Sequence, residues 1–369
     1  MTAYAGLPTG TGRNAGKWRT SANGSASGAD PTTETTPDTR TSPTTEMLRT
    51  SEMLQTPVPF ETGTPEETPA VSVPPRRSDC IADSAGGLTF DLVDCGTAGG
   101  ADGSWDAALV LRGRGANSTL DEVRLPLVPA GDGRLRAVLP STMALPEGRW
   151  DAYAEVGGSA SAATPGEPDR LLPGILDLRS LVDRRPDTDR PSVAVRIPYA
   201  TKHDNLSIRS WLRTPHAEAG ELRLSDGVMT VQGRLFGASA GTGALAEARS
   251  RRHPSVVRTV PASVEDTVRD GATGHHFAFT LAFKELVEAW QGGREPWDLW
   301  LRPAPDEEPV RVARILDDVP DKKHIFTYPV QPLTCSEHGT AEAGPYYTAD
   351  NDLAVRVAPA GESGDDEPN

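Results

Sequence analysis

The sequence predicts an all-β protein: two tandem Ig-like β-sandwich modules related by internal duplication, preceded by a disordered tail. Three observations lead there. Gly (36) and Pro (33) make up nearly a fifth of the 369 residues, which opposes long helices because both residues break them. From about Gly87 onward, short apolar runs are separated by Gly, Pro, Asp and Asn turns, the pattern of short paired strands. Two separate motifs also recur at one constant spacing.

Residues 1–79 come first and are dominated by Thr, Ser, Gly and Pro, as in 31–37 and 62–69. Large apolar side chains are sparse, so the segment cannot bury enough surface to offset its ordering entropy and reads as a disordered tail. Residues 45–54 could form a short helical turn. The first module, 86–212, carries apolar runs at 88–93, 106–112, 122–128, 135–139, 150–156, 192–197 and 206–211. Seven short strands of this kind build one sandwich. The second module spans 219–358, and 359–369 is an acidic disordered tail.

The duplication rests on two anchors. Leu-Pro-Glu-Gly-Arg-Trp150-Asp151-Ala-Tyr153 resembles Gly-Gly-Arg-Glu-Pro-Trp297-Asp298-Leu-Trp300, and the Trp-Asp pairs lie 147 residues apart. Pro198-Tyr199-Ala-Thr201, followed by Leu206, Ile208 and Arg209, resembles Pro345-Tyr346-Tyr-Thr348, followed by Leu353, Val355 and Arg356, again at 147. Ile175-Leu-Asp177 and Ile315-Leu-Asp317 match at 140, so insertions fall between the anchors.

Period-two alternation sorts the Trp-Asp strand. Trp150, Ala152, Ala154 and Val156 share one face, as do Trp297, Leu299 and Leu301, and that face is the expected core. Asp151, Tyr153 and Glu155, like Asp298, Trp300 and Arg302, share the other. Each copy therefore presents an aromatic ring, Tyr153 or Trp300, on a charged outer face. Such a ring can cover the sheet, or it can stack on a sugar. The paired Asp151 and Asp298 call for a cation or a turn to cap, and Arg209 and Arg356 are the candidate partners. These four residues, Tyr153, Trp300, Arg209 and Arg356, form the expected ligand-binding set.

Other chemistry is thin. Lys+Arg is 37 and Asp+Glu 52, a net charge of −15 with no compensating basic patch, which opposes nucleic-acid binding. Cys80, Cys95 and Cys335 are too few for a disulfide framework and have no metal-ligand spacing. The turns before the last strands offer too few carboxylates for calcium, so no metal and no cofactor is expected. Gly237-Ala-Ser239-Ala-Gly241 matches a nucleophile elbow between a predicted strand and a helix-like stretch from Ala244. That device needs a parallel α/β sheet, so no catalytic residue is assigned. Arg249-Ser-Arg-Arg-His253, the densest basic cluster, reads as a solvated loop, with anion binding as the sharper alternative. No run of 18 apolar residues occurs, and residues 1–8 lack a charged stretch followed by an apolar one, which predicts a cytoplasmic protein without a transmembrane segment.

The repeated pattern, Leu-Pro-x-Gly-x-Trp-Asp before one strand and Pro-Tyr-x-Thr before the closing strand, resembles the β-rich modules of actinobacterial proteins. The preference for Arg over Lys and the abundance of Ala, Gly and Pro resemble the same source. Those modules accompany glycosyltransferases of the CDP-glycerol glycerophosphotransferase (teichoic-acid) type. The resemblance covers about 86–358 and implies a cell-envelope glycopolymer context. It implies no catalytic residue, because the chain has no room for a two-domain nucleotide-sugar transferase core. The expected function is a non-catalytic accessory protein that binds or positions a glycopolymer or its transferase. A transferase, or a purely structural spacer, is the alternative.

Overall fold

The computed structural model describes residues 75–93, 107–115, 122–156, 168–182, 184, 186, 192–239, 241–269 and 272–361. Cys95, the expected tail as far as residue 74, and the acidic tail from 362 lie outside them. The described residues belong to one compact unit and are almost entirely β.

The first copy contains β1 (Arg77–Ala82), β2 (Leu88–Leu92), β3 (Ala107–Gly113), β4 (Glu122–Pro126), β5 (Val128–Gly131), β6 (Arg134–Leu139), β7 (Gly148–Val156), β8 (Asp169–Arg170), β9 (Leu172–Asp177), helix α1 (Arg179–Val182), β10 (Val193–Ala200) and β11 (Leu206–Arg213). One sheet runs β5-β6-β2-β1-β9 and the other β10-β11-β7-β3-β4, with β8 beside β7. Strand β1 starts before the boundary expected at 86 and inside the stretch assigned to the tail. Its Cys80 and Ala82 sit in the core. The polar sequence Arg-Ser-Asp-Cys hides a strand whose alternate residues face inward.

The second copy contains β12 (His216–Ser225), β13 (Val228–Phe236), β14 (Leu245–Ser250), β15 (Val257–Arg269), β16 (Ala272–Ala282), helix α2 (Phe283–Val287), β17 (Glu295–Arg302), β18 (Val310–Ala313), β19 (Gln331–Cys335), β20 (Gly339–Tyr347) and β21 (Leu353–Pro359). The stretch from Ala244 that reads as helical is strand β14. Its Ala246, Ala248 and Ser250 are buried between two neighbouring strands, so cross-strand packing overrides the helix preference of Ala and Glu.

The duplication holds at the level of register. Asp151 and Trp150 of β7 stand opposite Ser207 and Ile208 of β11. Asp298 and Trp297 of β17 stand opposite Ala354 and Val355 of β21. Ala200 pairs with Leu206 and Tyr347 with Leu353. All of these pairs keep the 147-residue offset. The turns before β11 and β21 also match. Thr201 and Thr348 accept backbone N–H groups through their hydroxyls, and Asp204 and Asn351 take the left-handed conformation at φ 55° and 61°. Asn and Asp tolerate that region better than other side chains with a Cβ.

The copies differ in closure. In the second, β15 pairs with β14 through its first half and with β16 through its second, and β14 also pairs with β17, so seven strands close into a barrel-like ring. In the first, the counterpart of β15 is split into β4 and β5 around buried Leu127. Pro126 has a counterpart in Pro261, but Pro129 has none, and a second missing N–H prevents a continuous ladder.

The two copies share a junction. The first core includes Phe236, Ala313 and Ile315 from the second copy. Arg209 is ion-paired to Asp350, Trp211 Nε1 donates to the Asp350 carbonyl at 3.1 Å, and Arg213 reaches Asp352 at 2.7 Å.

Candidate functional site

Alternation along β7 and β17 places the residues as the sequence predicts. Trp150 and Trp297 are 3% and 0% exposed, while Tyr153 and Trp300 lie half-buried on the outer faces. What surrounds those rings is a cluster built twice from matching parts.

In the first copy, Asp151 accepts from Arg114 at 2.5 Å, from Arg170 at 2.6 Å and from the Ser207 hydroxyl at 2.7 Å. The guanidinium carbons of Arg112 and Arg170 lie 5.1 and 4.9 Å from the centre of the Tyr153 ring. In the second copy, Asp298 accepts from Arg251 at 2.6 Å and from Arg311 at 2.7 Å. Arg249 and Arg311 lie 4.8 and 5.1 Å from the Trp300 ring centre. The parts correspond by strand pairing: Arg112 faces Asp151 as Arg249 faces Asp298, and Arg170 faces Tyr153 as Arg311 faces Trp300. Ser207 is replaced by Ala354, which has no hydroxyl to donate.

Burial opposes ionisation of Asp151 and Asp298. Hydrogen bonds and the positive charge of the flanking arginines outweigh it, so both carboxyls titrate below the ordinary aspartate value. Each cluster is therefore an ionised carboxylate crossed by two guanidiniums, one of which also lies over the ring. Cation–π contacts of this kind are worth about 0.5–1 kcal/mol at exposed sites.

Arg209 and Arg356 do not serve these carboxylates. Arg209 turns to Asp350 of the other copy and lies 5.0 Å over Trp211. Arg356 is half-buried on β21 opposite Pro296. The true partners were legible in one signal, since Arg112-Gly-Arg114 matches Arg249-Ser-Arg251 at an offset of 137. A comparison at 147 alone passes over them. The basic cluster at 249–253 is thus partly strand and partly cluster: Arg249 is held by Glu247 at 2.6 Å and Arg251 by Asp298.

Ser239 is exposed in the connection between β13 and β14, both in an antiparallel network with no following helix. By topology its counterpart in the first copy is the connection between β2 and β3, which includes residues outside those described. Of the two neighbouring histidines, His275 is bonded to Asp266 at 2.6 Å and His276 is exposed. Burial pushes the Cys80 thiol up. Among the described residues, no group of three or more His, Cys, Asp or Glu is placed to hold a metal, and no helix is long and apolar enough to cross a membrane.

No family model and no curated protein matches the chain. Among solved structures it is similar to TarS of S. aureus, at 15% identity and a TM-score of 0.25, over 56% of this chain and 34% of that one. A shorter TarS structure, residues 217–571, is similar at 14% identity and a TM-score of 0.25, over 55% of each chain. The chain thus spans about a third to a half of the structures it matches.

Proposed function

We propose that the chain is a non-catalytic tandem β-sandwich protein that binds or positions a cell-envelope glycopolymer, or the transferase that builds it, on the outer faces carrying Tyr153 and Trp300. One observation carries the reading: ring, arginines and aspartate recur together in both copies, although the sequence around them has diverged. A half-exposed ring offers an apolar face to a sugar, and the guanidiniums and carboxylate beside it suit hydroxyl groups. Two copies in one compact unit suit a repeating ligand, because the second contact is made at high effective concentration.

A structural reading has its own support. Each ring already has two guanidiniums within about 5 Å, an arrangement that also braces a sheet face. The two readings separate in a glycan-binding screen on the full chain, followed by calorimetry on Tyr153→Ala, Trp300→Ala and the double variant. The binding reading expects loss of affinity in each single variant and a larger loss in the double, each measured at a temperature where the variant is still folded. Binding equal to the parent's in all three, or no glycan bound by the parent, makes the modules spacers.

A further inference from the structure

A second polar feature lies along β12 and β13 of the second copy and shares no residue with the Trp300 cluster. Strand β12 carries a bulge: Ala219 pairs with Gly233 and Leu222 with Val231, so Gly220 and Glu221 together oppose Gln232. Bulges re-aim side chains and open a ladder locally. Here the bulge borders a cavity of about 330 Å³ lined in part by Glu218, Gln232, Arg234, His276 and Arg314.

The charges around this cavity are unevenly answered. Buried Glu218 has both oxygens committed: Oε1 accepts from the Leu316 backbone at 3.0 Å, and Oε2 from the Ile315 backbone at 2.9 Å, with His216 Nε2 at 2.8 Å. Arg234 stands directly opposite Glu218 in register, yet its guanidinium lies 5.8 Å from the Phe236 ring centre, and no carboxylate among the described residues pairs with it. Arg314 lies over Phe326 at 4.8 Å and reaches Asp317 through Nε at 3.2 Å. Asp317 is also answered by Lys322 at 2.6 Å, and Glu221 by Arg223 at 2.9 Å. Among the described residues Arg234 is therefore left without a carboxylate partner, while Arg314 shares Asp317 with Lys322.

We infer that this cavity binds a singly charged oxyanion, with Arg234 as the primary anchor and Arg314, Gln232 and His276 as further contacts. The planar fork of a guanidinium matches the paired oxygens of a carboxylate or a phosphodiester. The Glu218 and Glu221 carboxylates on the same cavity wall disfavour a doubly charged phosphate monoester. The site is distinct from the aromatic clusters and does not depend on their binding a sugar.

The test is an amide-shift titration of the full chain with glucuronate, a carboxylate, and with glycerophosphorylglycerol, a phosphodiester, against neutral glucose at matched ionic strength. Saturable shifts confined to 218–234 and 314–316 are expected from at least one of the two anions, and which anion produces them identifies the source. Arg234→Gln is expected to weaken binding at least tenfold. Arg234→Lys keeps the charge without the fork and is expected to weaken binding less than Arg234→Gln, which guards against a folding defect in the latter. The inference is overturned by no saturable shift from either anion, by equal shifts from glucose, or by parental affinity in both Arg234 variants.

Discussion

Arg209 of the first copy is ion-paired to Asp350 of the second. The same turn accepts the Trp211 indole N–H through its Asp350 carbonyl. A residue retained at matching positions in both copies thus does different work in each: Arg209 ties the copies together, and Arg356 does not.

That junction has measurable consequences. The Asp350 carboxylate is 60% exposed, so its attraction is screened, and Asp350→Ala should cost about 1 kcal/mol or less. Arg209→Ala should cost more, about 2 kcal/mol, because its buried stem and its cover over Trp211 go as well. Urea unfolding of the parent should show one transition, since the first core contains side chains of the second copy. Two resolved transitions would mean the copies unfold independently.

The Trp-Asp strands separate core from surface. Trp150→Ala and Trp297→Ala should each cost about 3–5 kcal/mol, the usual range for removing a large buried aromatic. Tyr153→Ala and Trp300→Ala should each cost about 1–2 kcal/mol, the worth of two exposed cation–π contacts. Equilibrium denaturation of the four variants checks the order. Were it reversed, the strand faces would be inverted, which a one-residue register slip would cause.

Gly233 tests the close approach beneath the bulge. A Cβ there would stand 2.3 Å from the Glu218 carbonyl oxygen and 2.4 Å from Phe277 Cζ. The first contact is backbone and cannot swing away, so Gly233→Ala should destabilise by about 1–3 kcal/mol. A melting temperature equal to the parent's would show that β12 and β13 are farther apart than described.

Acid should loosen both aromatic clusters. Asp151 and Asp298 are held below the ordinary aspartate value of 3.8 in the folded chain. A depressed carboxyl stabilises the fold fully above its unfolded value, and that stability is lost as pH falls through its folded value. Stability should therefore decline as pH drops from about 4 downward. The slope should be shallower in Asp151→Asn and Asp298→Asn, measured by thermal melts across that range. Slopes identical to the parent's would show that these carboxyls are not the groups that titrate.

What the residues alone determined is local. Strand after strand, alternation put Trp150 and Trp297 inside and Tyr153 and Trp300 outside, because the pleat turns each successive side chain to the opposite face. The 147-residue offset marked β7 with β17, and β11 with β21, as equivalent strands, because a duplicated sequence keeps its spacing. Tertiary structure decided the rest. Arg112 and Arg114 come from one stretch and Arg170 from another, and only the sheet brings them to Asp151 and Tyr153. Arg209 went to Asp350 because the closing turn of the second copy packs on β11, a contact that no spacing within one copy encodes. Strand β1 was hidden because only half of its short, polar sequence faces the core. The ring closure of the second copy depends on β14 meeting β17, a pairing across many residues whose cost in chain entropy is met by burial that forms only once the fold is complete.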